Sequence, residues 1–366
     1  MTEKRQAFIR LDNPRVWRTY LGGSRLDRLH RKPDGLDGHF PEEWIMSVVS
    51  ARNAGCTEGT DEGLSHIQGS DITLKELLEK EPEQYLGRSI ASGEGALLGV
   101  LVKLIDSGER LTLQVHPDQK TAAELFHSPF GKTECWHILE GREINGEIPC
   151  VYLGFKQGVT RKLWKELFDR QDIDGMLSVM ERFEVQPGDT ILIEGGMPHA
   201  IGAGCFLVEI QEPTDYTIRV ERMTPSGLKV DDSMCHQGLG FERMFDIFHY
   251  EDISREELRS RYFISPSEIV KQEGGIRKTL VGYGNTSMFR LDEIQVQCGC
   301  KMEIPGLSGF GGLYVLEGEG EASAQGHRIS LKQGDQIFIP AGTGHFTVEA
   351  GSESKILRLL HFFGPQ

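Results

Sequence analysis

Two segments of this chain repeat a pattern that few folds accommodate. GDTILIEGGMPHAI at Gly188–Ile201 and GDQIFIPAGTGHF at Gly334–Phe346 each open on Gly-Asp and run on through apolar residues. In both, a histidine follows the aspartate by ten positions: Asp189 to His199 and Asp335 to His345. A Gly-Asp turn feeding an apolar run marks the start of a strand. Recurrence of the whole unit points to two related β units in one chain. Around the second copy, from about Tyr262 onward, turns come at short intervals: Gly306–Gly312, Gly318–Gly320, Gly326, Gly334–Asp335 and Ala341–Gly344. Strands of that length between such turns suit a small barrel or sandwich.

The chain has 366 residues, room for two domains or for one with sizeable insertions. Its 40 Lys+Arg against 55 Asp+Glu give a net charge of −15, which argues against a nucleic-acid or anionic-membrane partner. An anionic substrate would need a local basic pocket. Seven cysteines, with no paired CxxC spacing, read as scattered reduced thiols. The first residues lack an apolar signal-like core, and no segment approaches the ~20 apolar residues of a membrane span. A soluble cytoplasmic protein is expected.

Local signals order the first half. Asp71–Gly87 predicts an amphipathic helix, with Leu74, Leu77 and Leu78 on one face and Asp71 as N-cap. Phe40–Gly55 predicts a strand with Trp44, Met46 and Val48 on one face, and Trp44 in the core. Gly99–Asp106 reads as a buried strand that turns at Ser107–Gly108 into Leu111–Val115, forming a hairpin. Strands are also expected at Gly131–Glu140, Val151–Phe155, Thr190–Glu194 and Cys205–Gln211. Helices are expected at Thr121–Phe126, Thr160–Phe168, Gly175–Phe183 and around Phe241–Phe248.

The chemistry concentrates in LQVHPD at Leu113–Asp118 and GKTECW at Gly131–Trp136. Gln114 and His116 are two apart, so on a strand both leave the same face. Glu134 and His199 follow within the next two apolar blocks. Two imidazoles, a carboxylate and an amide could close on one divalent metal, and zinc accepts those donors while keeping a position open. A single carboxylate leaves such a centre net positive, hence a Lewis acid. Lys132 lies two before Glu134 and shares its face, whereas His137 falls on the other.

Four blocks, LVKLIDSGERLTLQVHPDQKTA, GKTECWHIL, PGDTILIEGGMPHAIGAG and VEIQEPTDYTIRV, resemble in order and spacing the class I (zinc-dependent) mannose-6-phosphate isomerases. The two Gly-Asp…His segments are similar to the second motif of the cupin superfamily. The resemblance implies a mainly β protein of two cupin barrels (double-stranded β-helix, or jelly-roll) with helical insertions in the first. It implies a catalytic metal-binding domain over residues 1–255 and a metal-free cupin-like domain over 256–366, where His345 has no partner motif. One Zn²⁺ per chain would sit on Gln114, His116, Glu134 and His199. Arg219 and Lys132 would act on a hexose 6-phosphate, interconverting mannose 6-phosphate and fructose 6-phosphate through a cis-enediol. The general base is left open, with Glu209 and Glu212 nearby. The chain departs from the family in WRTYLGGSRL, where a Trp-Gly-Gly turn is usual, and in Glu194 and GGMP ahead of His199. Two other classes fit parts of the pattern: a non-catalytic sugar-phosphate-binding cupin, and a non-haem iron oxygenase built on two histidines and a carboxylate.

Overall fold

The computed structural model describes residues 6–12, 14–53, 60–87, 98–306 and 309–366. Among these residues the protein is mainly β, and its strands form four antiparallel sheets. One seven-stranded sheet runs Phe263–Ile264, Thr190–Ile193, Glu134–Gly141, Cys205–Gln211, Leu101–Asp106, Glu42–Ile45 and Arg15–Val16. A five-stranded sheet runs Ile218–Arg219, Gln114–Val115, His199–Ile201, Cys150–Phe155 and Met180–Glu184. Trp136, Ile138, Ile191 and Leu207 of the first pack with Val151, Leu153 and Phe183 of the second in one buried cluster.

The alternate residues of the seven-stranded sheet are equally buried. Cys135, Leu139, Val208 and Ile210 join Tyr314, Phe338, Leu360 and Phe362, which belong to a second seven-stranded sheet built mostly from the C-terminal half. Burial on both faces is why LVKLID and CFLVEIQ read as almost continuous apolar runs. That second sheet shares a further core, including Leu313, Val315, Val348 and Leu359, with a four-stranded sheet formed by residues 301–350. Strands cross between the halves: Ile9–Leu11 pairs with Gln336–Phe338, and Phe263–Ile264 pairs with Thr190–Ile191. On the outer side of the five-stranded sheet the helix Arg161–Asp169 buries Trp164, Leu167 and Phe168 against Phe155, Phe245 and Phe248. No described helix is long and apolar enough to cross a membrane.

Several local expectations are corrected. The helix expected over 71–87 is two helices, Leu74–Lys80 and Pro82–Leu86. Pro82 cannot donate to the preceding turn and opens a new helix at its first position. The first helix is capped by Thr73, not Asp71: Thr73 accepts from the Glu76 N–H while Glu76 accepts from the Thr73 N–H, a reciprocal box. The expected hairpin is absent, because Leu101–Asp106 and Gln114–Val115 lie in different sheets. Ser107 marks the crossing, its hydroxyl donating to the Gly202 and Cys205 carbonyls. The helix expected over 175–183 is Ile173–Ser178, and Met180–Glu184 is a strand paired with Cys150–Phe155. The strand near Trp44 is short, Glu42–Ile45, and ends where Met46 takes φ 52°. Trp44 is fully buried as expected, but Met46 packs in a different cluster. Residues 54–55 of the expected 40–55 strand and 307–308 of the 306–312 turn lie outside the described residues.

Candidate metal centre

The register of the five-stranded sheet sets out one wall of the site. Gln114 lies directly opposite His199 on one neighbouring strand and opposite Arg219 on the other. Directly opposed residues share a face, so the three side chains form a row. His116 follows two residues later on the same side, and Glu134 enters from the facing sheet at the start of its strand. The ligand atoms of His116, Glu134 and His199 all lie within 4.8 Å of one another, and all three residues are buried.

Both imidazoles are oriented by backbone. His116 Nδ1 is 2.8 Å from the Tyr216 carbonyl and His199 Nδ1 is 2.8 Å from that of Met197. A carbonyl accepts only, so each Nδ1 carries the proton and each Nε2 presents a lone pair to the cluster. Burial, reinforced by Lys132, lowers His116 to about 3, and burial lowers His199 as well; both are neutral at physiological pH. Burial alone would raise the Glu134 carboxyl, but Lys132 and the two imidazoles hold it well below the usual carboxylate range. Glu134 Oε2 accepts from Lys132 Nζ at 2.5 Å, and Lys132 Nζ also lies 2.8 Å from His116 Nε2. Glu134 Oε1, fully buried, makes no hydrogen bond. The Gln114 amide is 3.2 Å from His199 Nε2, and a half-turn of that amide presents its oxygen at the same point. Two neutral imidazole nitrogens, an ionised carboxylate with an unsatisfied oxygen and an adjacent amide are the donor set a zinc ion takes.

A polar pocket adjoins this group, with Gln114, Lys132 and Arg219 in its lining. Arg219 is buried, and burial lowers its pKa. Its guanidinium donates to the Thr217 and Met234 carbonyls, and no carboxylate among the described residues pairs with it. It is thus a fixed cation available to an anion.

The opposite wall was not foreseen from sequence. Trp136, Glu209, Lys103 and Trp44 form one straight cross-strand row on the inner face of the seven-stranded sheet. Glu209 accepts from Trp136 Nε1 at 2.9 Å and pairs with Lys103 at 3.0 Å. Burial and the nearby Glu134 raise the Glu209 pKa. Beyond Lys103 come Glu42, Arg18 and Asp215, so the wall alternates in charge: Glu209, Lys103, Glu42, Arg18, Asp215. The available signal was a charge inside an otherwise apolar strand, Lys103 in LVKLID and Glu209 in CFLVEIQ. Glu212 is engaged elsewhere: it accepts from the Gly131 and Thr133 N–H groups and fixes the loop carrying Lys132. His137 bonds Thr190 and stays off the cluster, and His345 is exposed.

An imidazole–carboxylate–imidazole group seated between β-sheets beside a charged pocket is a candidate metal centre on a mainly β scaffold. Residues 299–358 match the family model described as the cupin domain of mannose-6-phosphate isomerase. The chain is 26% identical over 266 residues to the mannose-6-phosphate isomerase ManA of Bacillus subtilis, covering 73% of this chain and 76% of that protein. A crystal structure of mannose 6-phosphate isomerase from Bacillus subtilis superposes with a TM-score of 0.73 at 23% identity, over 98% of this chain and 99% of that one. A zinc-bound mannose 6-phosphate isomerase superposes with a TM-score of 0.71 at 15% identity, over 99% and 100%. The chain is thus similar in sequence and in fold to the mannose-6-phosphate isomerases.

Proposed function

We propose that this protein interconverts mannose 6-phosphate and fructose 6-phosphate. The observation that carries the assignment is the buried His116–Glu134–His199 group beside a pocket whose lining includes the cations Lys132 and Arg219. The curated relative of that name supports it.

The isomerisation moves a proton between C1 and C2 through a cis-enediol, and its barrier lies in the negative charge that grows on oxygen as the C–H bond breaks. A zinc ion held by Gln114, His116, Glu134 and His199 would supply Lewis-acid charge at that oxygen. Arg219 holds a substrate anion with a planar fork of donors that no carboxylate pairs with directly among the described residues. Lys132, already between His116 and Glu134, holds a sugar oxygen or assists proton transfer. Glu209 carries the proton between the two carbons. Its raised pKa brings a carboxylate closer to the range where a general base works well near neutrality. The pairs of sheets are read as two cupin barrels, 1–255 with helical insertions and 256–366, each lending a short strand to the other. A cytoplasmic setting fits the six described cysteines, all free thiols.

A coupled assay across mannose, glucose and other hexose 6-phosphates, with and without chelator, tests the assignment. Turnover of mannose 6-phosphate that chelator abolishes and zinc restores is expected. Zinc-loaded protein inert towards every hexose 6-phosphate would sink it.

A further inference from the structure

The pocket lining carries a device that the proposed reaction does not use. Arg18 is 5% exposed, and its guanidinium reaches two carboxylates at once. Its Nε donates to Glu42 Oε2 at 2.9 Å, while Nη1 and Nη2 donate to the two Asp215 oxygens at 3.1 and 3.2 Å. Glu42 is itself anchored: Tyr20 donates its hydroxyl to Oε1 and Trp44 its indole N–H to Oε2, both at 2.8 Å. One edge of the fork is therefore fixed to a carboxylate held at both oxygens, and the other edge sets the plane of Asp215.

Asp215 is not saturated. Its Oδ2 accepts from Arg18 and from the Arg52 N–H at 2.9 Å, which fills both lone pairs. Its Oδ1 accepts only from Arg18, leaving one acceptor position. Burial would raise the Asp215 carboxyl, but Arg18 and Lys103 hold it well below the usual range, so it is ionised. An oriented carboxylate with one acceptor position, lining this polar pocket, suits a neutral hydroxyl donor. It repels a phosphate.

We propose that Arg18 is a positioning residue that acts through Asp215, and that Asp215 accepts a hydrogen bond from a sugar hydroxyl in the pocket it shares with Arg219. The substrate class is then a polyhydroxylated chain carrying one anionic terminus, which rests on the isomerase assignment and refines it. Lysine cannot replace Arg18, because a point charge cannot hold Glu42 and orient Asp215 in one plane.

The test is a double-mutant cycle of Arg18→Lys and Asp215→Asn in the zinc-loaded protein, read as kcat and KM for mannose 6-phosphate and as competitive inhibition by inorganic phosphate. Arg18→Lys is expected to lower kcat/KM roughly 10- to 100-fold, the range for one charge-assisted hydrogen bond. Phosphate inhibition and zinc content should hold at the wild-type level. The double variant should fall no further than Asp215→Asn alone. Unchanged kcat/KM in Arg18→Lys, losses that multiply in the double variant, or phosphate inhibition that weakens in step with KM would each overturn the proposal. Should Arg18→Lys not fold, Tyr20→Phe loosens Glu42 without changing any charge, and must lower kcat/KM in the wild type but not beside Asp215→Asn. Calorimetric titration of mannose 6-phosphate reads the same cycle without turnover. A protein that shows the coupling in binding but isomerises nothing would sink the isomerase assignment and leave the Arg18 proposal standing.

Discussion

Replacing Glu134 by glutamine separates two jobs that one carboxylate performs. The change keeps shape and removes charge. Glu134 is fully buried and Lys132 is 3% exposed, with Lys132 Nζ 2.5 Å from Glu134 Oε2. In metal-free protein the substitution strands a buried ammonium, and breaking such a pair from one side costs about 3–5 kcal/mol. Removing both charges, as in Lys132→Met with Glu134→Gln, strands nothing and should recover most of that loss. In zinc-loaded protein the variant also loses the only anionic ligand of the group. Ligand-linked stabilisation, about 2.7 kcal/mol at a metal concentration one hundred times Kd, should then vanish over the same zinc range. The assay is urea unfolding of each variant with chelator and with excess zinc, beside metal content by elemental analysis. Two results would refute the reasoning: a double variant no more stable than Glu134→Gln without metal, or Glu134→Gln that still gains the full wild-type increment from zinc.

Three further outcomes are expected. Arg219→Met should raise KM for hexose 6-phosphates and the inhibition constant of inorganic phosphate together; an unchanged phosphate constant would exclude Arg219 as the anion holder. Glu209→Gln should lower kcat by about 10²- to 10⁴-fold, the usual contribution of a general base, with zinc content intact; a near-normal kcat would move the proton carrier elsewhere. Glu42 gives a pH effect on stability. Burial opposes its ionisation, but Arg18 and Lys103 bring its pKa from 4.5 down to about 2. A depressed carboxyl stabilises the fold above its unfolded value, and that contribution is lost as pH falls towards 2. Linkage puts it at about 3 kcal/mol in full, with about 2 kcal/mol gone by pH 3. Denaturant midpoints of wild type and Glu42→Gln should therefore converge between pH 6 and pH 3, and parallel curves would contradict the Arg18–Glu42 pairing.

Much of the site follows from short-range rules. Strand alternation grouped Gln114 with His116 and Lys132 with Glu134 and sent His137 away, although the strands themselves span only Gln114–Val115 and Glu134–Gly141, with His116 and Lys132 just outside them. The repeated Gly-Asp…His unit called for related β units, and the mainly β sheets with their cupin-type neighbours are in keeping with it. Local rules failed where two of them competed or where the chain changed sheet. Pro82 outweighed the leucine periodicity and split a helix, while Ser107 carried the chain to another sheet and left no hairpin. Alternation also could not choose between Glu209 and Glu212. The strand ends at Gln211, and Glu212 turns back to cap the Lys132 loop.

What the sequence proposed by itself is a donor set, of which His116, Glu134 and His199 come together in the fold. Only the tertiary structure decided the charges around it. Arg18 meets Asp215 across 197 residues, and the Glu209–Lys103–Glu42 ladder runs across three strands brought together by pairing register. Alternation is a property of one strand and can be read along it. Which buried charge neutralises which, and which cation is left over for a substrate, depends on distances between strands, and those exist only once the sheets have packed.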